Sequence, residues 1–224
     1  MAAPDIFHAA QQMGVDLLPA QQEQLQRYLA LVQKWNKVYN LTALRDPADM
    51  LTHHLFDSLS AIAPLPRQLA QMGIPLAPAR LLDVGSGAGL PGVVMAICCP
   101  GLSVACVDTV GKKAAFVQQV ALELRLPNLR GVHARVESLT EQFDVVSSRA
   151  FASLVDFTTW SRAALAPHGV WLAMKGKHPA DEIAALPTDV AVFHVEQLTV
   201  PALYAERCIA WLNRPIPYRL RPPC

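Results

Sequence analysis

The chain has 224 residues, enough for one large α/β domain with an appendage or for two small domains. With 52% hydrophobic and 17% charged residues, its composition excludes general disorder and allows a sizeable core. The 19 basic and 18 acidic residues nearly cancel, which excludes a global basic field for nucleic-acid binding, so any RNA contact must use a local patch.

The cysteines and the apolar runs give no sign of export. None of the five cysteines has the two-residue spacing of a zinc or redox motif, so we interpret them as buried thiols in a reducing compartment. No basic stretch precedes an N-terminal apolar segment, and no apolar run approaches the roughly 20 residues that span a bilayer. We expect a cytoplasmic monomer without membrane association.

The first 72 residues have the pattern of a helical extension. After Pro19, apolar residues follow the period of an amphipathic helix. They are Leu25, Tyr28, Leu29, Val32, Trp35 and Tyr39. A second helix is predicted from Asp46-Pro47, an N-cap followed by proline, through Leu59. Prolines then punctuate the chain, so we expect an extension over residues 1–72 and a second domain over residues 73–224.

From Arg80 onward, strand patterns alternate with helix patterns. Strands are predicted over residues 81–84, 102–107, 129–133, 143–147, 169–174, 190–197 and 207–212. Helices are predicted over residues 91–99, 112–126 and 154–165. This alternation predicts an α/β fold with a mostly parallel sheet and right-handed crossovers. Ligands of such sheets bind beyond the carboxyl ends of the strands, which would bring together Asp83–Gly89, Asp108, Ser147–Arg149 and Lys175.

A glycine loop follows the first predicted strand. Glycines at 85, 87 and 89 let the backbone approach a ligand closely. Residues 87–92 also fit the dinucleotide fingerprint, so an NAD-dependent oxidoreductase is one alternative. However, that fingerprint begins two residues too late after the strand, and Asp83 would repel a diphosphate while favouring an ammonium group. S-adenosylmethionine carries an ammonium group and no phosphate, so the loop with Asp83, Gly85 and Gly87 favours this cofactor.

Asp108 stands at the end of the second predicted strand, 23 residues after Gly85. An acid at this position can accept hydrogen bonds from both hydroxyls of a ribose. The alternative is a turn residue that opens Asp108–Gly111. With the glycine loop present, we favour ribose binding.

The sequence after the fourth strand restricts the methyl acceptor. Ser147–Phe151 stands where enzymes that methylate exocyclic amines carry an Asn/Asp-Pro-Pro-aromatic motif, and no Pro-Cys pair for covalent attack on a pyrimidine follows. An acceptor that is already nucleophilic, such as guanine N7, needs only positioning. We favour a ligand contact over a surface ion pair for Arg149, because it ends this strand.

Other polar residues leave two interpretations open. Lys175 and Lys177 fit either a solvated turn or contacts with phosphates. His54 and Asp57 lie on one helical face, either as a structural hydrogen-bonded pair or as a pair that faces RNA. His53-His54 lacks a third ligand at suitable spacing, so no metal site is predicted.

Short sequence blocks in a fixed order resemble one family. They cover residues 35–42, 54–58, 83–92, 108–113, 135–137, 148–151, 175–177 and 200–203. In these blocks the chain resembles the guanine-N7 methyltransferases of small-subunit ribosomal RNA, the RsmG or GidB family, over about residues 20–213. The resemblance implies methylation of N7 of a guanine in the 530 loop of 16S rRNA, with S-adenosyl-L-homocysteine as product. It also implies a Rossmann-like, mostly parallel seven-stranded sheet with helices on both faces and an N-terminal helical extension.

The resemblance also implies roles for single residues. Cofactor contacts are implied at Gly85, Leu90, Val136, Glu137 and Arg149. Roles in catalysis or RNA binding are implied for Asn40, His54, Asp57, Lys112 and Lys175.

The chain departs from the family pattern in two places. Tyr204-Ala205 stands where family members often have Asp-Gly. The C-terminal tail with Arg214, Arg219 and Arg221 is either an RNA contact or a frayed end, and we favour the frayed end.

A small-molecule methyltransferase and a non-catalytic rRNA-binding assembly factor remain as alternatives to the function that the resemblance implies. The near-neutral charge predicts weak affinity for naked RNA, and therefore a small ribosomal subunit or an assembly intermediate as substrate.

Overall fold

A computed structural model describes residues 5–215, and five α-helices precede its first strand. They are α1 (Ile6–Gln12), α2 (Pro19–Tyr39), α3 (Pro47–Met50), α4 (Asp57–Leu59) and α5 (Pro64–Gln71). A π-helical stretch, Leu51–Phe56, joins α3 to α4 without a break. The Asp46 carboxylate accepts hydrogen bonds from the backbone N–H groups of Ala48 and Asp49, which confirms the predicted N-cap.

Seven strands form one sheet. They are β1 (Arg80–Val84), β2 (Ser103–Asp108), β3 (Leu129–His133), β4 (Phe143–Arg149), β5 (Leu165–Lys175), β6 (Ala191–Leu198) and β7 (Arg207–Asn213). Their order is β3-β2-β1-β4-β5-β7-β6, and only β7 runs in the direction opposite to the other six strands. The intervening helices are α6 (Gly92–Cys98), α7 (Gly111–Glu123), α8 (Leu154–Trp160) and α9 (Ala180–Ala184). The predicted Rossmann-like, mostly parallel architecture is confirmed.

One predicted helix was too long. The pattern over residues 154–165 predicts a single helix, but α8 ends at Trp160 and a 3₁₀ turn, Arg162–Ala164, follows. Leu165 already belongs to β5 and pairs with Phe143 of β4. The buried Ser161 is the C-cap residue of α8, and its hydroxyl donates to the Phe157 carbonyl and accepts a hydrogen bond from the Trp171 indole. The short α9 was not predicted.

The two faces of the sheet pack against different helices. Consecutive strand residues alternate between the faces. Leu81 and Val145 face the core that contains α1, α2, α5, α6 and α7, whereas Leu82 and Val146 face the core under α8. The extension therefore shares one hydrophobic core with the sheet, and the division at residue 72 stays a prediction. Within residues 5–215, no helix is long and apolar enough to cross a membrane.

The strand order reverses at β1, which lies between β2 and β4. At such a switch point the loops that follow neighbouring strands separate and leave a crevice beyond the carboxyl ends. The crevice here adjoins the ends of β1, β2, β4 and β5. The sequence predicted this edge of the sheet as the ligand site.

Candidate active site

The glycine loop after β1 has a backbone that only glycine adopts easily. Gly85, Gly87 and Gly89 have φ angles of 65°, 60° and 92°. A Cβ atom on Gly85 would lie 2.2 Å from Cδ2 of Phe151. Glycine at this position therefore allows the Phe151 ring to pack directly over the loop.

A cavity of about 340 Å³ opens beside this loop. Gly85 and Asp108 line it at the ends of β1 and β2, and Val136 and Glu137 line it in the 3₁₀ turn after β3. Phe151 forms an aromatic wall together with Trp160, whose ring packs edge-on at 5.8 Å between centroids. This first cavity combines apolar walls with a few polar groups, as binding sites for small molecules and cofactors do.

Asp108 places its carboxylate at the wall of the first cavity and is 7% exposed. Oδ2 accepts a hydrogen bond from the Gly87 N–H at 3.0 Å, and Oδ1 accepts one from the Val110 N–H at 2.8 Å. The Lys113 ammonium lies 4.0 Å from Oδ2. Because a carboxylate oxygen can accept more than one hydrogen bond, Asp108 can hold the loop and still accept a ribose hydroxyl. Both interpretations of the sequence are therefore compatible with this geometry.

Asp83 lies beneath the loop, which differs from the expectation that it faces the ligand. It has no exposed surface, and its two oxygens accept hydrogen bonds from the Gly92 N–H at 2.9 Å and the Ser147 hydroxyl at 3.1 Å. Burial raises the pKa of its carboxyl to about 7. Asp83 therefore ties β1 to the start of α6 and to β4, and supports the loop from below.

A second cavity, of about 380 Å³, adjoins the first. Ala150 lines both cavities, and its φ angle of 50° turns the chain between them. The other residues that line it are His53, His54, Asp57, Arg149, Met174, Lys175, Gly176 and Arg207. Two arginines, one lysine and one carboxylate line it, and Glu182 pairs with the lysine from behind the wall, so the second cavity keeps a small positive balance although the whole chain is nearly neutral.

The Asp57 carboxylate joins three elements at the second cavity. Its Oδ2 accepts a hydrogen bond from Nη1 of Arg149 at 2.8 Å, and its Oδ1 accepts one from Nε of Arg207 at 2.9 Å. Arg149 Nη1 also donates to the His53 carbonyl at 2.7 Å. The carboxylate thus links the helical extension to the ends of β4 and β7, and orients both guanidinium groups.

His54 is held in place and is uncharged at neutral pH. Its Nε2 lies 2.7 Å from the Thr42 hydroxyl. Burial, followed by the nearby Arg149 charge, lowers the pKa of its imidazole to about 4. The loop that carries Thr42 is organised by Asn36, which accepts from the Thr42 N–H and donates to the Leu44 carbonyl.

Lys175 is also fixed by neighbours. Its ammonium donates to the Ala152 carbonyl at 2.9 Å and to the Glu182 carboxylate at 2.8 Å. Glu182, in α9, also accepts from the Leu154 N–H at the start of α8. Lys175 therefore presents an oriented charge at the wall of the second cavity.

Comparisons with known proteins decide the family. The family described as rRNA small subunit methyltransferase G matches residues 21–210. The chain belongs to this family. It is 70% identical over 210 residues to Ribosomal RNA small subunit methyltransferase G of Acidovorax sp. (strain JS42), covering 92% of each chain. It is 65% identical over 204 residues to the protein of that name from Polaromonas naphthalenivorans (strain CJ2), covering 91% of each chain.

Solved structures show the same fold. The magnesium protoporphyrin IX methyltransferase from Synechocystis PCC 6803, with bound SAM, has a TM-score of 0.57 at 12% identity over 82% of this chain and 96% of its own. TrmN from Thermus thermophilus has a TM-score of 0.55 at 20% identity over 70% of this chain and 48% of its own.

Several predicted site residues lie outside the walls of both cavities. Leu90 is buried, and Gly87 contacts Asp108 through its backbone. Lys112 and Lys177 are exposed, and Asn40 accepts a hydrogen bond from Arg45 at 2.6 Å. Arg149 lines the second cavity and not the first. The roles of these residues stay predictions.

The sequence reasoning missed Arg207, Glu182 and Phe151. Arg207 begins β7, and the first residue of an antiparallel strand lies at the same edge as the carboxyl ends of the parallel strands. The signal available in the sequence was the position of Arg207 at the start of the last predicted strand, directly after the loop that contains Tyr204.

Among the residues that the structure describes, no group of three or more His, Cys, Asp or Glu side chains could hold a metal ion.

Proposed function

We propose that the protein transfers the methyl group of S-adenosylmethionine to N7 of a guanine in the 530 loop of 16S rRNA. Membership of the family supports an rRNA substrate. The observation that carries the proposal is the pair of cavities that share Ala150, because a nucleoside cofactor and an RNA base bound in them would meet at one wall.

The first cavity fits the adenosine part of the cofactor. Asp108 would accept the ribose hydroxyls, and the apolar side chain of Val136 would contact the adenine ring with Glu137 at its polar edge. Gly85 lines this cavity and the space beside Gly87 is open, so the loop backbone would approach the amino-acid part of the cofactor there. When bound, S-adenosylmethionine supplies a sulfonium methyl group that the lone pair of guanine N7 can take directly, which leaves S-adenosyl-L-homocysteine.

The second cavity fits a guanine and its phosphates. Guanine presents O6 as an acceptor beside N7, and arginine and lysine donors can bind O6 while the N7 lone pair stays free for the methyl group. Arg149, Arg207 and Lys175 supply these donors, each already oriented by a carboxylate. N7 carries no proton, so the residues act by positioning and no general base is required. Asn40, Lys112 and Lys177 would contact the RNA outside the cavity.

Calorimetric titration tests the cofactor. We expect S-adenosylhomocysteine to bind at one site per chain and NAD to show no heat of binding. Asp108→Asn should weaken the binding by about tenfold or more, since it loses charge-assisted hydrogen bonds. Binding of NAD without binding of S-adenosylhomocysteine would exclude the proposed activity.

Labelled cofactor tests the acceptor. Small subunits from cells that lack the enzyme would be incubated with the protein, and the labelled nucleotide would be mapped. We expect one 7-methylguanosine in the 530 loop and much slower labelling of a naked hairpin of the same sequence, because the near-neutral chain attracts RNA only locally. Label at another nucleotide, or in protein, would refute the assigned acceptor.

A further inference from the structure

Helix α2 of the extension presents a row of donors to the cofactor half of the molecule. Gln21 donates to the Ile97 carbonyl at 2.9 Å, near the end of α6. Gln24 donates to the Leu124 carbonyl at 2.9 Å, which directly follows α7. The last carbonyls of a helix have no partner within that helix. Side chains of α2 therefore cap the ends of two helices that pack on the sheet.

Tyr28 lies on the same side of α2 but reaches a different target. Its side chain is fully buried, and its hydroxyl donates to the Ala88 carbonyl at 2.8 Å. Burial raises the pKa of the phenol well above its ordinary value, so the hydroxyl keeps the proton that it donates. Ala88 belongs to the glycine loop, between Gly87 and Gly89.

From this contact we infer that Tyr28 is a positioning residue for the cofactor loop, so that helix α2 is part of the cofactor site. The inference rests on the proposed function, in which the cofactor binds along this loop.

The contacts of the loop explain how a change at Tyr28 would reach the cofactor site. Two glycines flank Ala88, and their backbone has many accessible conformations, so the loop needs external anchors. Tyr28 holds the carbonyl of Ala88, and Asp108 holds the N–H of Gly87. Without the hydroxyl, a buried carbonyl would lose its donor, and the loop would have to move to satisfy it. That movement would displace the N–H that orients the Asp108 carboxylate.

Tyr28→Phe removes one oxygen and leaves the ring in place. We expect S-adenosylhomocysteine to bind about tenfold more weakly to this variant, as for the loss of one anchoring hydrogen bond in the bound loop. KM for S-adenosylmethionine should rise, while KM for the small subunit stays within twofold. Gln24→Met is the matched control, because it removes a contact between α2 and a carbonyl at the C-terminal end of α7 instead of in the loop. It should lower Tm slightly and leave the affinity for S-adenosylhomocysteine unchanged.

Equal affinity of Tyr28→Phe and the wild type would overturn the inference, and so would equal weakening by both variants. Amide hydrogen exchange of the wild-type chain provides a second test that needs no variant. Because coupling is reciprocal, S-adenosylhomocysteine should increase protection in α2 around Tyr28 as well as in the loop. Protection confined to the loop and sheet would also overturn it. Failure of the wild type to bind S-adenosylhomocysteine would instead refute the proposed function.

Discussion

The exchange Asp57→Asn tests whether the buried carboxylate holds the second cavity together. The side chain of Asp57 is 6% exposed and accepts hydrogen bonds from Arg149 and Arg207. Asparagine has nearly the same shape but no charge. One of its two polar atoms is an amide NH₂, which would face a guanidinium donor and could not accept from it. The variant therefore leaves two arginines without their shared counter-charge.

The expected loss of stability follows from burial. Removing one partner of a buried ion pair costs about 3–5 kcal/mol, because the remaining charge is uncompensated. The arginine side chains are 15% and 20% exposed and keep some contact with water, so we expect the lower end, about 3 kcal/mol. For a domain of this size about 1 kcal/mol shifts Tm by roughly 2–4 °C, so Tm should fall by about 6–12 °C.

Differential scanning calorimetry measures this shift, and the chain offers a matched control. Asp189→Asn removes the carboxylate of the ion pair with Arg162, whose side chains are 43% and 55% exposed. Exposed pairs contribute little, so this variant should change Tm by less than about 2 °C. Methylation of small subunits should decrease strongly for Asp57→Asn alone. Similar Tm shifts for both variants would refute the argument from burial.

Three further predictions follow from the site. Gly85→Ala should weaken binding of S-adenosylhomocysteine by at least about tenfold in calorimetry, because its Cβ would meet Phe151 at a positive φ angle; an unchanged affinity would contradict this. The raised pKa of Asp83 means that the folded chain holds this proton more tightly than the unfolded chain, so its contribution to stability is lost as pH rises from about 4 to about 7. Asp83→Asn should therefore show a smaller decrease in the free energy of urea unfolding between pH 5 and pH 8 than the wild type. With the pKa of His54 lowered to about 4, its ring NMR signals should stay constant between pH 6 and pH 8, and a midpoint in that range would show that the imidazole is less buried than described.

Much of the fold could be predicted from local patterns. Short apolar runs that end in glycine or aspartate marked β1 and β2, and their spacing implied parallel crossovers. The end of α8 could not be predicted, because Ala163-Ala164-Leu165 continues a helical pattern while Leu165 is taken up by pairing with β4. Tertiary pairing overrides local propensity in such a segment.

The part of the candidate site that lies at the ends of parallel strands could be predicted from the sequence. The positions of Asp108, Arg149 and Lys175 followed from the rule that ligands bind beyond the carboxyl ends of parallel strands. The direction of the Asp83 side chain could not be predicted. Alternation along a strand shows that neighbouring side chains point to opposite faces, but it does not show which face the ligand approaches. Arg207 and Tyr28 were missed as site residues, since they reach it through an antiparallel strand and a docked helix.

The capping contacts of α2 also determine when this helix can finish docking during synthesis of the chain. Arg27 donates to the Glu123 carbonyl and Gln24 to the Leu124 carbonyl, across separations of 96 and 100 residues. At about 5–20 residues per second, α2 is synthesised roughly 5–20 s before these partners. The native surface that covers its apolar stripe is incomplete during that interval, because α7 is still missing. The first long helix to be translated therefore completes its docking only after more than half of the 224 residues have been made, and a nascent chain that stops before residue 124 leaves part of its surface exposed to chaperones and proteases.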